Sequence, residues 1–482
     1  MAEATSSAAA SVYEQQVSTL VPADMAYVLC ATVGIVVITP GISLFYGGSM
    51  RGKNLMTLIV QSYLTTGILT VQWFLFGFSL ACSETSSSAI YGNFRYGALV
   101  NIHAGPLYEG GTIPAIETFT FTLFFAVCTV QIFLGAISER GRLLPSLVLA
   151  FLWTTLCYCP FAYWVWDPNG WLYNLGDLDF AGGGPVHIAS GVASLWYSWF
   201  LGPRKGWKEK TLDYKPYSPV MTFIGSLLIY FPWLFFNSGT LTTVTTPRTA
   251  MIMANTQIAA GFAMSTYCIM DYFFTKKWSL TMAAEGLIVG LVFVTPACGY
   301  LEPWACAVGA MFTAICCRLT HNVNRWIGID DSSQSFNVHG IGGIVGGIVV
   351  GVFASPYIAG LDGYTVIEGG WIFHHWKQMG YQLAAICAIV GWSSVGTVAL
   401  CYIINHIPGL KMRVSEEAEE MGLDLYDLAE CADPLLAMAI GPEHPKVEYF
   451  NGDELNSSAD GSTSGQYELN DMGDVKRPLP EN

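Results

Sequence analysis

"DFAGGGPVHIASG", residues 179–191, combines features that rarely share a segment: an aspartate, three consecutive glycines, a proline and a histidine, all leading into an apolar run. Its surroundings decide what that combination means. The chain has 482 residues, of which 52% are hydrophobic and only 12% charged, too apolar and too poor in charge for a soluble globular protein. Crossing a hydrocarbon core of roughly 30 Å takes about 20 mostly apolar residues per helix. Eleven windows of that kind follow one another, at about 25–47, 55–81, 115–137, 144–166, 183–202, 219–239, 250–274, 279–298, 303–319, 336–355 and 380–405. The short alternating segments of a β-barrel are absent from the sequence. The expected fold is an all-α polytopic membrane protein with eleven transmembrane helices.

Of the 21 Lys and Arg, eighteen fall on one side of this arrangement, in the loops around Arg51, Arg140, Arg204, Lys276 and Arg318 and in the C-terminal tail. The other three, Arg95, Arg248 and Lys377, fall on the opposite side. The positive-inside rule then places the N-terminal segment 1–24 outside the cell and the tail 408–482 in the cytosol, as an odd number of spans requires. The formal net charge of −15 belongs mostly to that tail, because residues 409–482 hold 17 Asp or Glu against 5 Lys or Arg. The acidity thus describes a cytosolic extension, rich in Ser and Gly and expected to be disordered after about residue 450, and says nothing about a pore or a basic partner. Thirteen scattered cysteines without CxxC pairs read as small packing residues. The opening MAEATSSAAA lacks the basic region of a cleavable signal peptide, so the first span is expected to initiate export itself.

Near the start of the fifth span the chain reads "PVHIASGVAS" (185–194), and near the start of the tenth "NVHGIGGIVG" (337–346). Each has Val-His and a glycine four residues after the histidine, Gly191 and Gly343. Spans one and six likewise share a proline followed by an aromatic, Pro40 to Phe45 and Pro232 to Phe236. Two repeats of five helices, about 25–202 and 219–355, must lie in the membrane with opposite polarity because five is odd. The eleventh span stands outside the repeat and completes a transmembrane domain over 25–407. Inverted repeats bring equivalent residues to a shared axis near the bilayer midplane, so His187 and His339 are expected to face each other. The glycines of span ten, such as Gly343, Gly347 and Gly351, have the small-xxx-small spacing of close helix packing.

A histidine within a span is costly unless it is paired, buried in protein or beside a water-filled path. Two neutral imidazoles can share a proton and line a narrow path with polar edges. Asp179 reads in two ways: as an N-cap of span five, or as an electrostatic anchor for a cation at a mouth. If the helix reaches back to it, eight residues place it near the face of His187 and about 12 Å away. Trp166 lies where an interfacial belt would put it, and is also a candidate cation–π platform. Phe125 and Phe236 read by residue type as core. Zinc or di-iron membrane enzymes need clustered ligands, whereas the chain offers only His374-His375 in a loop, so neither an enzyme nor a cofactor is expected.

Several long stretches in a fixed order carry a resemblance. They are "ITPGISLFYGGSMRGKN" (38–54), "FFAVCTVQIFLGAISERGR" (124–142), "YCPFAYWVWDPNGW" (158–171), "WLFFNSGT" (233–240) and "IDDSSQSFNVHGIGG" (329–343), together with 179–191. They resemble the ammonium transporter family, Amt/Mep/Rh, and within it the fungal methylammonium permease (Mep) type. The likeness covers nearly the whole membrane body and continues into "GLKMRVSEEAEEMGLD" (409–424). It implies a plasma-membrane homotrimer with one pore per subunit, taking ammonium, ammonia and methylammonium as substrates. It also implies Trp166 as the outer cation–π residue, Phe125 as both a recruitment residue and, with Phe236, a stacked gate, His187 and His339 as the twin histidines, and Asp179 as the acidic residue beside the recruitment site. Thr240 stands where bacterial members usually have a Ser that helps hold the cation. Keeping a histidine at 187 favours the high-affinity, ammonium-sensing subtype, and sensing with little net transport is the alternative to transport. Ser457 and Ser458, beside Asp453, Glu454 and Asp460, are candidate phosphorylation sites for a regulatory kinase acting on the tail.

Overall fold

The computed structural model describes residues 14–211 and 216–428, and among these the backbone is helical apart from turns, loops and one isolated bridge between Gly141 and Arg413. The long helices, in chain order, are α1 (Pro22–Ser49), α2 (Gly52–Ala81), α3 (Ala115–Gly135), α4 (143–166), α5 (183–201) and α6 (Pro219–Gly239). They continue with α7 (Pro247–Thr275), α8 (Leu280–Val294), α9 (Pro303–Leu319), α10 (Phe336–Phe353) and α11 (Lys377–His406). Each of the eleven expected windows coincides with one of them. Seven are long and apolar enough on their own to cross a membrane, and α8 and α9 are apolar but shorter. The remaining two, α5 and α7, carry polar residues such as Ser190, Ser194, Asn255 and Thr256 that turn inward and are buried.

The helix starts follow from local chemistry. Pro22, Pro219, Pro247 and Pro303 occupy first turns, where a missing N–H costs nothing. The hydroxyls of Ser218 and Ser279 accept from the amides of Met221 and Met282, each at 3.2 Å. The window expected to run to 298 ends as helix at Val294, because Pro296 follows and cannot continue the ladder.

Inverted symmetry is visible where the two halves meet. Both α5 and α10 begin with a π-type turn, Gly183–Ile188 and Phe336–Ile341, and each turn contains its histidine. The glycines four residues later are the contact points. A Cβ on Gly191 would fall 2.2 Å from the Gly340 amide nitrogen, and one on Gly343 would fall 3.3 Å from the Cβ of His187. Each half thus abuts the histidine turn of the other through an absent side chain. Helices α1 and α6 repeat the device, with Gly225 against the Phe45 backbone and Gly41 against that of Leu228.

The loops rich in Arg and Lys converge on one side, called here the basic side. Glu139 is buried there between Arg51 at 2.7 Å and Arg204 at 2.9 Å, and Arg204 also holds Asp330 at 2.8 Å. Burial alone would raise the Glu139 carboxyl, but the two guanidiniums outweigh it and hold the group below the usual carboxylate range. The first part of the tail docks onto this network. Asp424 accepts from the amides of Met56 and Thr57 at 3.1 and 2.8 Å, capping the start of α2, and Arg413 pairs with Glu419 at 2.9 Å. Ser457 and Ser458 lie outside the described residues.

Replacing Gly191 by Ala is expected to force α5 and α10 apart and cost about 1–3 kcal/mol. Gly391→Ala, in α11, meets nothing within 4 Å and is the neutral comparison. Thermal unfolding of the purified proteins in detergent checks the difference.

Candidate functional site

Three hydrogen bonds account for the composition of residues 179–191. Asp179 accepts from the amides of Gly182 and Gly183 through Oδ1, at 2.9 and 2.7 Å, and from Gly184 through Oδ2 at 2.6 Å. The glycines let the backbone fold tightly round one carboxylate; Gly182 has φ +111°, a conformation that side chains resist. Helix α5 begins only at Gly183, so Asp179 is a cap at its mouth and does not share a helix face with His187. Burial pushes its carboxyl up and the three amides pull it back, with burial prevailing. The Asp179 carbonyl in turn accepts the indole N–H of Trp166 at 3.2 Å, fixing that ring.

Trp166, Phe125, Thr240 and Asp179 all line a cavity of about 720 Å³ on the side opposite the basic loops. The Thr240 hydroxyl donates to the Phe236 carbonyl at 2.8 Å, which leaves its lone pairs for an incoming donor. Beyond Trp166 the aromatics form an unbroken series. Phe125 meets Trp166 edge to face at 6.0 Å and stacks on Phe236 at 3.8 Å. Phe236 stacks on Trp233 at 4.5 Å, Trp233 on His187 at 5.4 Å, and His187 on His339 at 5.2 Å. Phe125 and Phe236 are buried; Phe125 lines the large cavity, and Phe236 stacks between Phe125 and Trp233, which lines a narrow chamber of about 20 Å³.

That chamber is walled almost wholly by apolar atoms, from side chains such as Ile42, Cys128, Ile229 and Leu291, with Tyr46, Trp233, His187 and His339 as the lining side chains that carry polar groups. A site needs about 10–15 Å³ to admit one water, so there is room for a single small molecule and none for a hydrated ion. On the basic side His339 also opens onto a cavity of about 380 Å³ shared with Tyr46, Glu285, His321 and Asp331.

The hydrogen bonds fix the tautomers. The Thr295 hydroxyl donates to the Leu291 carbonyl at 2.7 Å, so its lone pairs accept the Trp233 indole N–H at 3.0 Å and the proton on His187 Nε2 at 3.2 Å. His187 Nδ1 is then an acceptor, and the His339 Nδ1–H donates to it at 3.1 Å. His339 Nε2 is left as a lone pair. The two imidazoles therefore form a polarised, uncharged pair with a direction set by Thr295.

The structure brings His187 and His339 together, stacks Phe125 on Phe236, and places Trp166, Thr240 and Asp179 around one cavity. Three participants escaped the sequence reading. Trp233 and Thr295 were hidden among many apolar-flanked Trp and Thr residues. Asp331 was legible in principle: it precedes His339 by eight residues, as Asp179 precedes His187. Its Oδ2 accepts from the Phe336 amide at 2.8 Å, the counterpart of the Asp179 bond to Gly184.

A family model described as the Ammonium Transporter Family matches residues 26–433. Ammonium transporter 3 of Schizosaccharomyces pombe is 46% identical over 453 residues, covering 85% of this chain and 87% of that protein. Ammonium transporter MEP2 of Saccharomyces cerevisiae is 36% identical over 414 residues, covering 85% and 83%. The crystal structure of Candida albicans Mep2 matches with a TM-score of 0.79 at 37% identity, over 88% of this chain and 93% of that one.

Asp179→Asn puts an amide N–H against backbone donors and is expected to destabilise by about 1–3 kcal/mol, read as a lower melting temperature. Thr295→Val removes the acceptor for two buried N–H groups. Nitrogen NMR of histidine-labelled protein should show the Nε2–H form of His187 in the unsubstituted protein and a mixed population in the variant.

Proposed function

Because this chain belongs to the ammonium transporter family, its Mep kin being multi-pass membrane transporters, we propose that it carries ammonium across the plasma membrane by stripping the proton and conducting ammonia. The cation is taken up beside Trp166 and Thr240, with Asp179 shaping the cavity wall. Deprotonation occurs about the Phe125–Phe236 stack, and neutral ammonia passes His187 and His339 into the basic-side cavity. The proton either follows along the paired imidazoles or stays outside.

The carrying observation is the 20 Å³ chamber with paired, uncharged imidazoles between two wide cavities. Ammonium and potassium match in charge and nearly in size, so a charged funnel cannot separate them. Moving either ion into a dry channel carries an idealised cost of order 20 kcal/mol. Only ammonium can lower that cost by leaving its proton behind, because its conjugate base is neutral. The direction of the imidazole pair suits this, since the His339 Nε2 lone pair can accept from ammonia while no full charge has to be buried.

The same reading includes a homotrimer, an extracellular N-terminus and a cytosolic tail. The eighteen-to-three division of basic residues supports that orientation. It also includes an ammonium-sensing role, with Ser457 and Ser458 as substrates of a kinase. Cutting the chain after about residue 440 separates the two activities: signalling or regulation should change while conduction persists. A receptor with little net transport is the competing reading.

Replacing His187 or His339 by Ala is expected to abolish selective uptake of radiolabelled methylammonium or to admit potassium, measured in proteoliposomes. Unchanged flux and selectivity in both variants contradict the proposal, and negligible flux in the unsubstituted protein favours the receptor.

A further inference from the structure

Charged groups are plentiful on the wall of the 720 Å³ cavity, and most are committed to partners. Asp179 gives both oxygens to three glycine amides. Asp167 accepts from the Ser83 amide and the Tyr108 hydroxyl at 2.9 Å each, and its second oxygen accepts from the Asn169 amide. Glu368 pairs with His375 at 3.1 Å. Arg248 donates to Asp362 at 2.6 Å and to the Gly299 carbonyl at 2.9 Å.

Asp177 is different. Among the described residues the one hydrogen bond to its carboxylate comes from the adjoining Leu178 amide, an amide it shares with Gln382 Oε1 at 2.8 Å. The backbone on either side is nevertheless held firmly. Gln378 donates to the Gly176 carbonyl at 2.9 Å, and Gln382 also donates to the Leu178 carbonyl at 3.0 Å. Two glutamines of α11 thus clamp the chain around a half-buried carboxylate held by a single neighbouring amide and by no side-chain donor among the described residues. Burial, and then the charge of Asp179, push that carboxyl well above the usual carboxylate range. A bound cation supplies both the missing N–H donors and the missing opposite charge.

We propose that Asp177 is the carboxylate that draws an ammonium-type cation into this cavity, Asp179 being spent on the helix cap. The assignment rests on reading the cavity as the cation entrance. A proton and the cation then compete for one group: acid on this side neutralises Asp177 and weakens capture, so KM climbs as external pH falls while the maximal rate holds.

The test is radiolabelled methylammonium uptake by the full-length chain in proteoliposomes, with external pH set from about 5 to about 8. The unsubstituted protein should show KM climbing on acidification. Asp177→Asn should raise KM about tenfold, leave the maximal rate within about twofold, and flatten the pH dependence of KM; Asp177→Glu should restore both low KM and the dependence. A flat KM profile in the unsubstituted protein, which needs no folded variant, overturns the proposal. So does an Asn variant with unaltered KM and pH profile, or equal loss of maximal rate in the Asn and Glu variants, which marks a structural role. Absence of uptake by the unsubstituted protein removes the entrance reading and this assignment together, whereas robust uptake with a silent Asn variant removes the assignment alone.

Discussion

Two imidazoles whose Nδ1 atoms lie 3.1 Å apart in an apolar chamber impose a rule on everything around them: one nitrogen must donate and the other accept. The rule is enforced from outside the pair. Thr295, its own proton spent on the Leu291 carbonyl, can only accept from His187, and that single commitment orients both rings. Trp233 donates to the same oxygen and stacks on His187, so the ring is held in plane as well as in tautomer. An uncharged polar lining in a dry chamber is what separates a path for a neutral amine from a path for ions.

The backbone serves this contact. Rings on two different helices approach only if the helices themselves do, and Gly191 and Gly343 permit that by having no Cβ at the crossing. Inverted repetition explains why one device appears twice. Asp179 and Asp331 each sit eight residues before a histidine and bind the backbone amide that opens its helix. Capping of this kind anchors the π-type turns that aim the imidazoles inward. At the basic side, Glu139, Arg204 and Asp330 tie loops from both halves together, and Asp424 brings the tail onto the same surface.

Much of this is legible in the sequence. The eleven windows, the inverted halves and the meeting of His187 with His339 rest on apolar run length, charge placement and an odd repeat count, which depend on local composition and so survive in a single sequence. Helix ends were less legible where a turn of unusual geometry intervened. Spacing alone puts Asp179 near the helix face of His187, but three glycines let the chain wrap round its carboxylate first, and nothing in the spacing reveals that. Thr295 and Trp233 were invisible for another reason. Their importance lies in partners far along the chain, and a threonine near a helix end carries no mark of which hydroxyl proton is already taken.

The central claim, that the transported amine sheds its proton before crossing the chamber, is tested most directly by comparing ammonium uptake in proteoliposomes made in light and in heavy water. Shedding and passing a proton should slow uptake in heavy water by more than the change in solvent viscosity, with potassium in excess failing to compete. A slowing that tracks viscosity alone, together with competition by potassium, would mean that the intact ion goes through.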